Sequence, residues 1–219
     1  QKELTYRRDD GSFSAFGQSD KSGSTWLTSF VVKSFIQARP YISVDNSIVN
    51  KSIEFLFSRQ RKDGSFAEYG EVHNKALQGG AALKIGSKTK EDNQTDSSAG
   101  PLTAYVLIAI LHESKTDPIR TKNEFAIKRA VDYCYAKLEE SNNAYEVAII
   151  AYALHLADSQ HKEKAYQKLM KMNQQNADGL MFWSNEAKKT NTSDRLKIVS
   201  VSEYLSLPQS LDVESSAYG

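Results

Sequence analysis

The chain has 219 residues and lacks the features by which several classes of protein are recognised. Its single cysteine, Cys134, leaves no partner for a disulfide bond within the chain. The formal net charge is only +1 and no long block of Lys or Arg occurs, which argues against binding to nucleic acid or to an anionic membrane. No apolar run approaches the roughly 18 residues that a membrane-spanning helix needs, so we expect no membrane span.

The spacing of the residues also indicates neither a metal site nor a pair of catalytic carboxylates. No two His, Cys or Asp residues have the spacing typical of zinc ligands, and we expect neither a metal nor a cofactor. Asp9 and Asp10 are adjacent, but their place in a turn favours turn formation and helix capping. A carboxylate pair for glycoside chemistry stays open, although no spacing points to one. Cys134 falls on the apolar stripe of an amphipathic segment and is expected to be a buried, unreactive thiol.

The chain does contain a repeated sequence. DDGSFSAFG at residues 9–17 returns as KDGSFAEYG at residues 62–70, and a third Asp-Gly pair follows at residues 178–179. A period of about 50 residues is typical of repeat architectures, and the middle copy expected near residue 120 is missing. In this motif the Gly supplies a positive φ and the Phe packs beneath the turn. We therefore interpret the motif as an element that joins helix pairs, and not as a site.

Two kinds of helical segment alternate between the turns. One kind is apolar around most of its circumference, which indicates burial on all sides, and the other has one apolar stripe, which indicates a surface helix. The order predicts an all-α fold, an α/α toroid of inner and outer helices with about three pairs and the start of a fourth. A plain helix bundle is the simpler alternative, but it explains neither the alternation nor the repeated turn. The predicted inner helices span 24–38, 101–113 and 144–158, and the predicted outer helices span 44–60, 124–139 and 162–174.

Three stretches are predicted to lie outside helices. Residues 67–80 form a loop that ends in paired glycines, residues 81–99 have the composition of a long mobile insertion, and residues 184–210 are polar. We expect residues 1–219 to be a single partial domain. The chain begins at Gln1, without Met, and is expected to be a piece of a longer protein.

His73 is the side chain most open to a chemical role. It lies in the loop EVHNKALQGG, where glycines on both sides let the backbone turn sharply and approach another surface. A histidine presented in this way can act as a base, a nucleophile or a ligand, or can be an ordinary surface residue. The other histidines are expected to be structural or solvated: His112, His155 and His161.

Three Asn-x-Ser/Thr sequons begin at Asn50, Asn93 and Asn191. Each is a candidate for N-glycosylation, which is typical of a secreted protein. Sequons of this kind also arise by chance in a chain rich in Ser and Thr. They therefore support secretion without establishing it.

Five segments carry a resemblance to a known family: YRRDDGSFSAFG, STWLTSFVVKSFIQARPYI, SIEFLFSRQRKDGSF, VHNKALQGG and LTAYVLIAILHE. In this order they resemble the thioester domain of the alpha-2-macroglobulin and complement family, and they look closest to the insect thioester-containing proteins. The resemblance is dense from Tyr6 to Gly80, resumes at Leu102 and weakens after about Leu180. It implies an α/α toroid of six inner and six outer helices, in agreement with the helix pattern.

The resemblance also implies covalent chemistry. In such proteins a Cys and a Gln of a Gly-Cys-Gly-Glu-Gln-Asn segment form an internal thioester, which after activation acylates a nucleophile on a microbial surface or a protease. That segment would lie upstream of Gln1, and Cys134 does not match it. His73 matches the position of a family histidine that attacks the thioester carbonyl and passes the acyl group to a hydroxyl. Members with Asn at this position prefer amines. The insertion at 81–99 departs from the family pattern.

These features predict a fragment of a secreted, complement-like protein that tags surfaces covalently, an opsonin-like role in innate immunity, with His73 directing acyl transfer to hydroxyls. Such a fragment is a binding module with self-acylation chemistry and not an enzyme. A protease-trapping inhibitor of the alpha-2-macroglobulin type is the alternative. An α/α-toroid enzyme ranks lower, since zinc ligands and a convincing acid pair are lacking. The expected partners are microbial surface glycans or proteins and the remaining domains of the parent protein.

Overall fold

The computed structural model describes residues 2–70, 99–175 and 179–184. These residues form seven α-helices, two short 3₁₀-helices and a two-stranded antiparallel sheet, so the predicted all-α fold is confirmed apart from that sheet. The α-helices are α1 (Thr25–Ala38), α2 (Asn46–Ser58), α3 (Ala99–Leu111), α4 (Pro118–Lys122), α5 (Glu124–Glu140), α6 (Ala144–Leu156) and α7 (Lys162–Lys171). The 3₁₀-helices are Lys2–Tyr6 and Gly17–Ser19, and the strands are β1 (Gln174–Gln175) and β2 (Met181–Phe182).

Three helices form an inner layer. Helix α3 lies in the middle and packs against α1 on one side and α6 on the other. Every residue of α3 is buried, because its sequence AGPLTAYVLIAIL has no charged side chain on any face. Helix α6 is buried over most of its length, while α1 leaves the ring of Phe30 48% exposed. The hydrophobic core of the described residues is centred on this layer.

Three amphipathic helices form an outer layer. Helix α2 packs on α1, α5 packs on both α3 and α6, and α7 packs on α6. Each outer helix turns one stripe inward, as Ala130, Cys134 and Leu138 do in α5. The predicted alternation of inner and outer helices is thus present. The closed ring of an α/α toroid stays a prediction, because it requires helices beyond those described.

The inner helices begin at the same end of the two layers. Gly100 of α3 lies against the carboxylate of Glu146 in the first turn of α6, since a Cβ on Gly100 would collide with Glu146 Oε1. The N–H of Phe66 donates to Thr103 Oγ1 in α3 at 3.0 Å. The carbonyl of Ala67 accepts from Thr25 Oγ1 in α1 at 2.7 Å. We call this end, where α1, α3 and α6 begin, the N-terminal end of the inner layer.

A buried ion pair closes the opposite end. Glu113 follows α3 with a side chain only 3% exposed, and its Oε1 lies 2.6 Å from Nη1 of Arg39, which follows α1. Arg120 of α4 donates to the carbonyl of Glu113 at 2.8 Å. The sequence pattern indicates only a turn where α4 lies, because five residues are too few to show a helical period.

Both copies of the repeated motif form the same hairpin. In the first copy, Asp10 Oδ1 accepts from Ser12 N at 3.0 Å and from Ser12 Oγ at 2.6 Å. In the second, Asp63 Oδ1 accepts from Ser65 N at 3.0 Å and from Ser65 Oγ at 2.7 Å. The Gly between them has φ 88° in one copy and 93° in the other, which an L side chain rarely adopts. The interpretation of the motif as a structural element is confirmed.

Each hairpin is tied to the inner helix that follows it. Phe13 and Phe66 are each 1% exposed beneath their turns. The N–H of Phe13 donates to Thr28 Oγ1 of α1 at 2.9 Å, as that of Phe66 does to Thr103 in α3. A buried N–H needs a hydrogen-bond acceptor, and the Thr hydroxyl of the inner helix supplies it. This bond connects each hairpin to its inner helix.

Each hairpin also touches the next outer helix through its Gly. A Cβ on Gly11 would lie 2.7 Å from the carbonyl oxygen of Lys51 in α2. A Cβ on Gly64 would lie 2.7 Å from the carbonyl carbon of Arg129 in α5, and closer still to its oxygen. Gly is therefore required in each hairpin for two reasons: its φ is positive, and two backbones approach each other closely there.

The third Asp-Gly pair connects β1 to β2. Gln175 pairs with Met181, two residues after Gly179, which is the register of the first two copies. Met181 takes the place of Phe and is 51% exposed, and a Cβ on Gly179 would meet nothing within 4 Å. The third copy thus keeps the strand register of the first two, and among the described residues no helix packs against its glycine.

The missing middle copy is replaced by a short connection. Residues 141–143 alone join the outer helix α5 to the inner helix α6. Asn143 Oδ1 accepts from the N–H of Glu146 at 3.0 Å and so caps α6. No hairpin is needed here because the cap residue follows α5 almost directly.

Candidate functional site

Several of the predicted site residues lie outside the described residues. They are His73, residues 81–98 of the predicted insertion, Asn93 and Asn191. Ala99, predicted to end the insertion, is instead the first residue of α3, which begins two residues before the predicted start. The structure does describe residues 67–70, which lead into the His73 loop, and the surface on which they lie.

The carboxylate of Glu68 occupies the N-terminus of α1. Its Oε1 accepts from the N–H of Thr25 at 2.9 Å, and its Oε2 accepts from the N–H of Trp26 at 2.8 Å. Oε2 also accepts from Oγ of Ser24 at 3.1 Å, and Ser24 is itself the N-cap residue of α1. The first N–H groups of a helix lack partners within the helix, and the helix dipole favours a negative charge there. Glu68 supplies both the acceptor and the charge.

The same carboxylate holds the chain that carries it. Glu68 Oε1 accepts from the N–H of Tyr69 and from the N–H of Gly70, each at 3.0 Å. A Cβ on Gly70 would lie 2.6 Å from Cα of Ser24, an approach of two backbones that only Gly permits. Ser22 Oγ donates to the carbonyl of Tyr69 at 2.8 Å. Residues 67–70 therefore lie directly on the first turn of α1.

Arg59 holds the other side of this segment. Its Cζ lies 4.7 Å from the ring centroid of Phe55 and 5.0 Å from that of Tyr69, so the guanidinium is placed between two aromatic faces. The N–H of Ala67 donates to the carbonyl of Arg59 at 3.3 Å. The segment is thus bound by α1 on one side and by the end of α2 on the other.

The first part of the chain reaches the same place. Arg8 Nη1 donates to the carbonyls of Gly17 at 2.7 Å and Asp20 at 2.6 Å. The N–H of Ser24 donates to the carbonyl of Phe13 at 3.0 Å. Residues 8–24 therefore fold into a loop that ends at the N-cap of α1, beside Gly70.

A second carboxylate lies at the N-terminal end of the inner layer. Glu146 Oε2 accepts from Ser141 Oγ at 2.7 Å, while Oε1 faces Gly100. Burial raises the pKa of Glu146, and this effect outweighs the hydrogen bond from Ser141 and the nearby Lys137, which both lower it. Glu146 is thus less readily ionised than an ordinary glutamate.

Sequence reasoning does not identify Glu68. The one available signal is the alignment of the two motif copies, in which Glu68 stands where the first copy has Ala15. A Glu in a loop is common, and its partners Ser24 and Trp26 lie 44 and 42 positions earlier in the chain. Only the tertiary fold brings them together.

The sequon at Asn50 lies within helix α2. Its third residue, Ser52, is 1% exposed, and Ser52 Oγ donates to the carbonyls of Gly11 at 2.7 Å and Ile48 at 3.0 Å. Asn50 Oδ1 is itself buried. In the folded chain this sequon is part of the joint between the first hairpin and α2.

Cys134 is fully buried on the inner side of α5, as predicted. Burial raises the pKa of its thiol, and the nearby Glu146 raises it further. The thiolate, which is the reactive form, is therefore disfavoured.

The three described histidines have ordinary surroundings. His112 directly follows α3, and its Nδ1 lies 2.8 Å from the carbonyl of Ile108 in that helix, while His155 is exposed. His161 precedes α7 and stacks on Tyr135, with 3.6 Å between ring centroids. These contacts agree with the expectation of structural or solvated roles.

No metal-binding group of three or more His, Cys, Asp and Glu side chains occurs in the described ranges, 2–70, 99–175 and 179–184. Asp10, half of the adjacent acidic pair, is engaged in the turn with Ser12. The helices of this part of the chain are all too short or too polar to cross a membrane.

Comparison with known proteins identifies the family to which the chain is similar. The family model for the A-macroglobulin TED domain matches residues 1–219. The chain is 30% identical over its whole length to ovostatin from Gallus gallus, and 31% identical to complement C3 from Lethenteron camtschaticum. It spans 13% and 12% of the length of these two relatives. The chain belongs to the A-macroglobulin TED domain family.

Proposed function

We propose that the chain is the thioester domain of a secreted, complement-like protein that attaches itself covalently to surfaces, an opsonin-like activity. The observation that carries this proposal is the attachment of residues 67–70 to the first turn of α1, beside the N-terminal part of the chain. His73 follows Gly70 by three residues, and three residues of extended chain reach about 11 Å at most. We propose that a reactive segment upstream of Gln1 meets the His73 loop at this end, where residues 8–24 and 67–70 come together.

The proposed chemistry has two steps. The imidazole of His73 attacks the carbonyl carbon of a thioester formed by a Cys and a Gln upstream, the carbon–sulfur bond breaks, and the sulfur leaves as a thiolate. A hydroxyl of the target then attacks the acyl-imidazole, the thiolate takes its proton, and the imidazole leaves. The products are an ester to the target and a free thiol. Each molecule reacts once, so this is self-acylation and not turnover.

The targets that suit this chemistry carry hydroxyl groups, such as the glycans of a microbial surface, with surface proteins as further targets. The similarity to a complement protein supports this choice. We further propose that glycosylation, if the chain is secreted, uses Asn93 and Asn191. The sequon at Asn50 is disfavoured because its Ser52 is buried in the fold.

A protease-trapping inhibitor of the alpha-2-macroglobulin type is the second candidate. One observation favours it: Asn74 directly follows His73, so a shift of the loop by one residue puts an amide where the imidazole is proposed to act. Without the imidazole, the thioester reacts directly with amines. Ovostatin and complement C3 are about equally similar to the chain, and the comparisons do not separate the two functions.

The test compares His73→Ala with Asn74→Ala in the intact parent protein. After activation, incorporation of labelled glycerol and of labelled methylamine is measured. We expect His73→Ala to shift incorporation from glycerol towards methylamine by tenfold or more, because general acid–base and nucleophilic assistance is worth about 10²–10⁴ in rate. Asn74→Ala, the matched control, should leave the ratio unchanged. An unchanged ratio in His73→Ala, or a shift only in Asn74→Ala, would overturn the proposed role of His73.

A further inference from the structure

The two hairpins are alike up to the Phe and differ directly after it. After the Phe, the first copy continues with Ser14 and Ala15 and the second with Ala67 and Glu68, so Glu68 stands where the first copy has Ala15. Glu68 accepts five hydrogen bonds, from Oγ of Ser24 and from the N–H groups of four residues: Thr25, Trp26, Tyr69 and Gly70. Two of these N–H groups belong to α1 and two to the chain that runs into the His73 loop.

We infer that Glu68 is a positioning residue for the proposed acyl transfer: its carboxylate fixes the start of the His73 loop on the N-terminus of α1. This inference rests on the proposed function and adds a residue to it. The role proposed for Glu68 is to act through the loop that it holds, and not by contact with the thioester or the target. The geometry of such a support matters, because a displacement of about 1 Å at a reacting group can cost on the order of 10²-fold in rate.

Both the charge and the length of Glu68 are needed for this contact. An amide in place of the carboxylate keeps the length but turns one acceptor into a donor. If that donor replaced Oε2, it would face the N–H of Trp26, which is also a donor. An Asp is shorter by one methylene, so we expect it to lose the contact with Trp26 or the contact with Gly70. The negative charge also matches the positive end of the α1 dipole.

The contact is separate from the bonds that build the hairpin. The turn is closed by Asp63 and Ser65, and the N–H of Phe66 is bound by Thr103. None of these bonds involves Glu68 or α1. A change at Glu68 should therefore loosen residues 68–70 on the first turn of α1, while Thr25 still holds the carbonyl of Ala67 and the hairpin stays on α3.

The experiment uses the intact, activated parent protein and measures the ratio of glycerol to methylamine incorporation. Glu68→Gln should lower this ratio about three- to tenfold, in the same direction as His73→Ala. The matched control is Asp63→Asn, which removes a carboxylate of the same hairpin that does not contact α1, and it should leave the ratio unchanged. Ser22→Ala, which removes only the bond to the carbonyl of Tyr69, should give a smaller shift in the same direction.

A double-mutant cycle tests whether Glu68 acts through His73. Once His73 is Ala, the further change Glu68→Gln should have no effect on the ratio. Hydrogen exchange at the amides of Thr25 and Trp26 should be faster in Glu68→Gln, which reports release of the contact in a protein that stays folded.

The outcomes separate the two proposals. If His73→Ala shifts the ratio while Glu68→Gln and Ser22→Ala do not, the positioning role is wrong and the proposed function stands. An equal shift in Asp63→Asn, or an additive double mutant, also overturns the positioning role, because the effect would then be one of general stability. If His73→Ala leaves the ratio unchanged, the proposed role of His73 fails first and the role of Glu68 fails with it.

Discussion

The two DGSF hairpins have the same local structure and different neighbours. Their corresponding hydrogen bonds, from the Asp side chain to the Ser and from the Phe N–H to the Thr, differ by no more than 0.1 Å. After the Phe, the first copy runs through Gly17–Ser19 into its own helix, α1. The second copy contacts the same helix, α1, which precedes it in the chain, because Glu68 accepts hydrogen bonds from the first turn of α1. Local sequence thus fixes the turn, and Glu68, which lies outside the turn, binds the second copy to the N-terminus of α1.

The largest effect is expected at the glycines of the turns. Gly64→Ala should lower the free energy of unfolding by roughly 4 kcal/mol, because the Ala would need a positive φ and would collide with the backbone of Arg129. Gly11→Ala should cost about as much, since it meets the backbone of Lys51. Gly179 also has a positive φ, but a Cβ there would meet no other atom. Gly179→Ala should therefore lower the free energy of unfolding by only about 1–2 kcal/mol.

Urea unfolding of the three Gly variants checks this order. Equal losses in all three would show that the positive φ alone accounts for the cost and that the contact with the outer helix does not matter. A loss at Gly179 larger than at Gly64 would contradict the importance of the close approach between Gly64 and the backbone of Arg129.

A smaller effect is expected at the two threonines that receive the Phe N–H groups. Thr28→Val and Thr103→Val keep the shape of the side chain but leave a buried N–H without an acceptor, at a cost of about 1–3 kcal/mol each. The two sites belong to different joints, so the double variant should lose the sum of the single losses. Denaturant unfolding gives both numbers. A change at one site without a change at the other would show that the joints are not equivalent.

The smallest effect concerns the pH dependence of the turns. Burial opposes ionisation of Asp10 and of Asp63, but the hydrogen bonds from Ser12 and Ser65, with Arg8 and Arg61 nearby, outweigh it and lower both pKa values. A lowered pKa in the folded chain adds stability above the pKa of the unfolded chain, about 4, and this stability is lost as the pH falls through the folded pKa. Both carboxylates are largely exposed, so the contribution of each should stay below about 1 kcal/mol.

Unfolding measured from pH 7 down to pH 2 tests this sign. Asp10→Asn and Asp63→Asn should each flatten the acid limb of the stability curve by a similar amount. Glu146→Gln should instead make the acid limb steeper. Because the pKa of Glu146 is raised, this residue stabilises the folded chain at low pH, and that stability is lost as the pH rises and Glu146 ionises. An acid limb unchanged in both Asp variants would show that the turns contribute no pH dependence.

Much of the fold could be predicted because its signals are local. The apolar residues of α3 and α6 cover all faces, and the stripe of α5 recurs at helical spacing, so the inner and outer layers follow from periodicity. Helix α4 and the strands β1 and β2 were not predicted, because two to five residues are too few to show a period. Glu68 was missed for another reason: its partners lie on a helix more than 40 positions away, and no local pattern indicates them.

The sequence by itself determined the turns and the alternation of the helices. A Gly two residues before each Phe, an Asp before that Gly and a Ser after it form their bonds within a few residues of chain, whatever surrounds them. Only the tertiary structure decided that the carboxylate of Glu68 meets the first turn of α1 and that Gly70 lies against Ser24. These contacts depend on how the layers place one helix end beside a distant loop, and that placement results from the packing of the whole core.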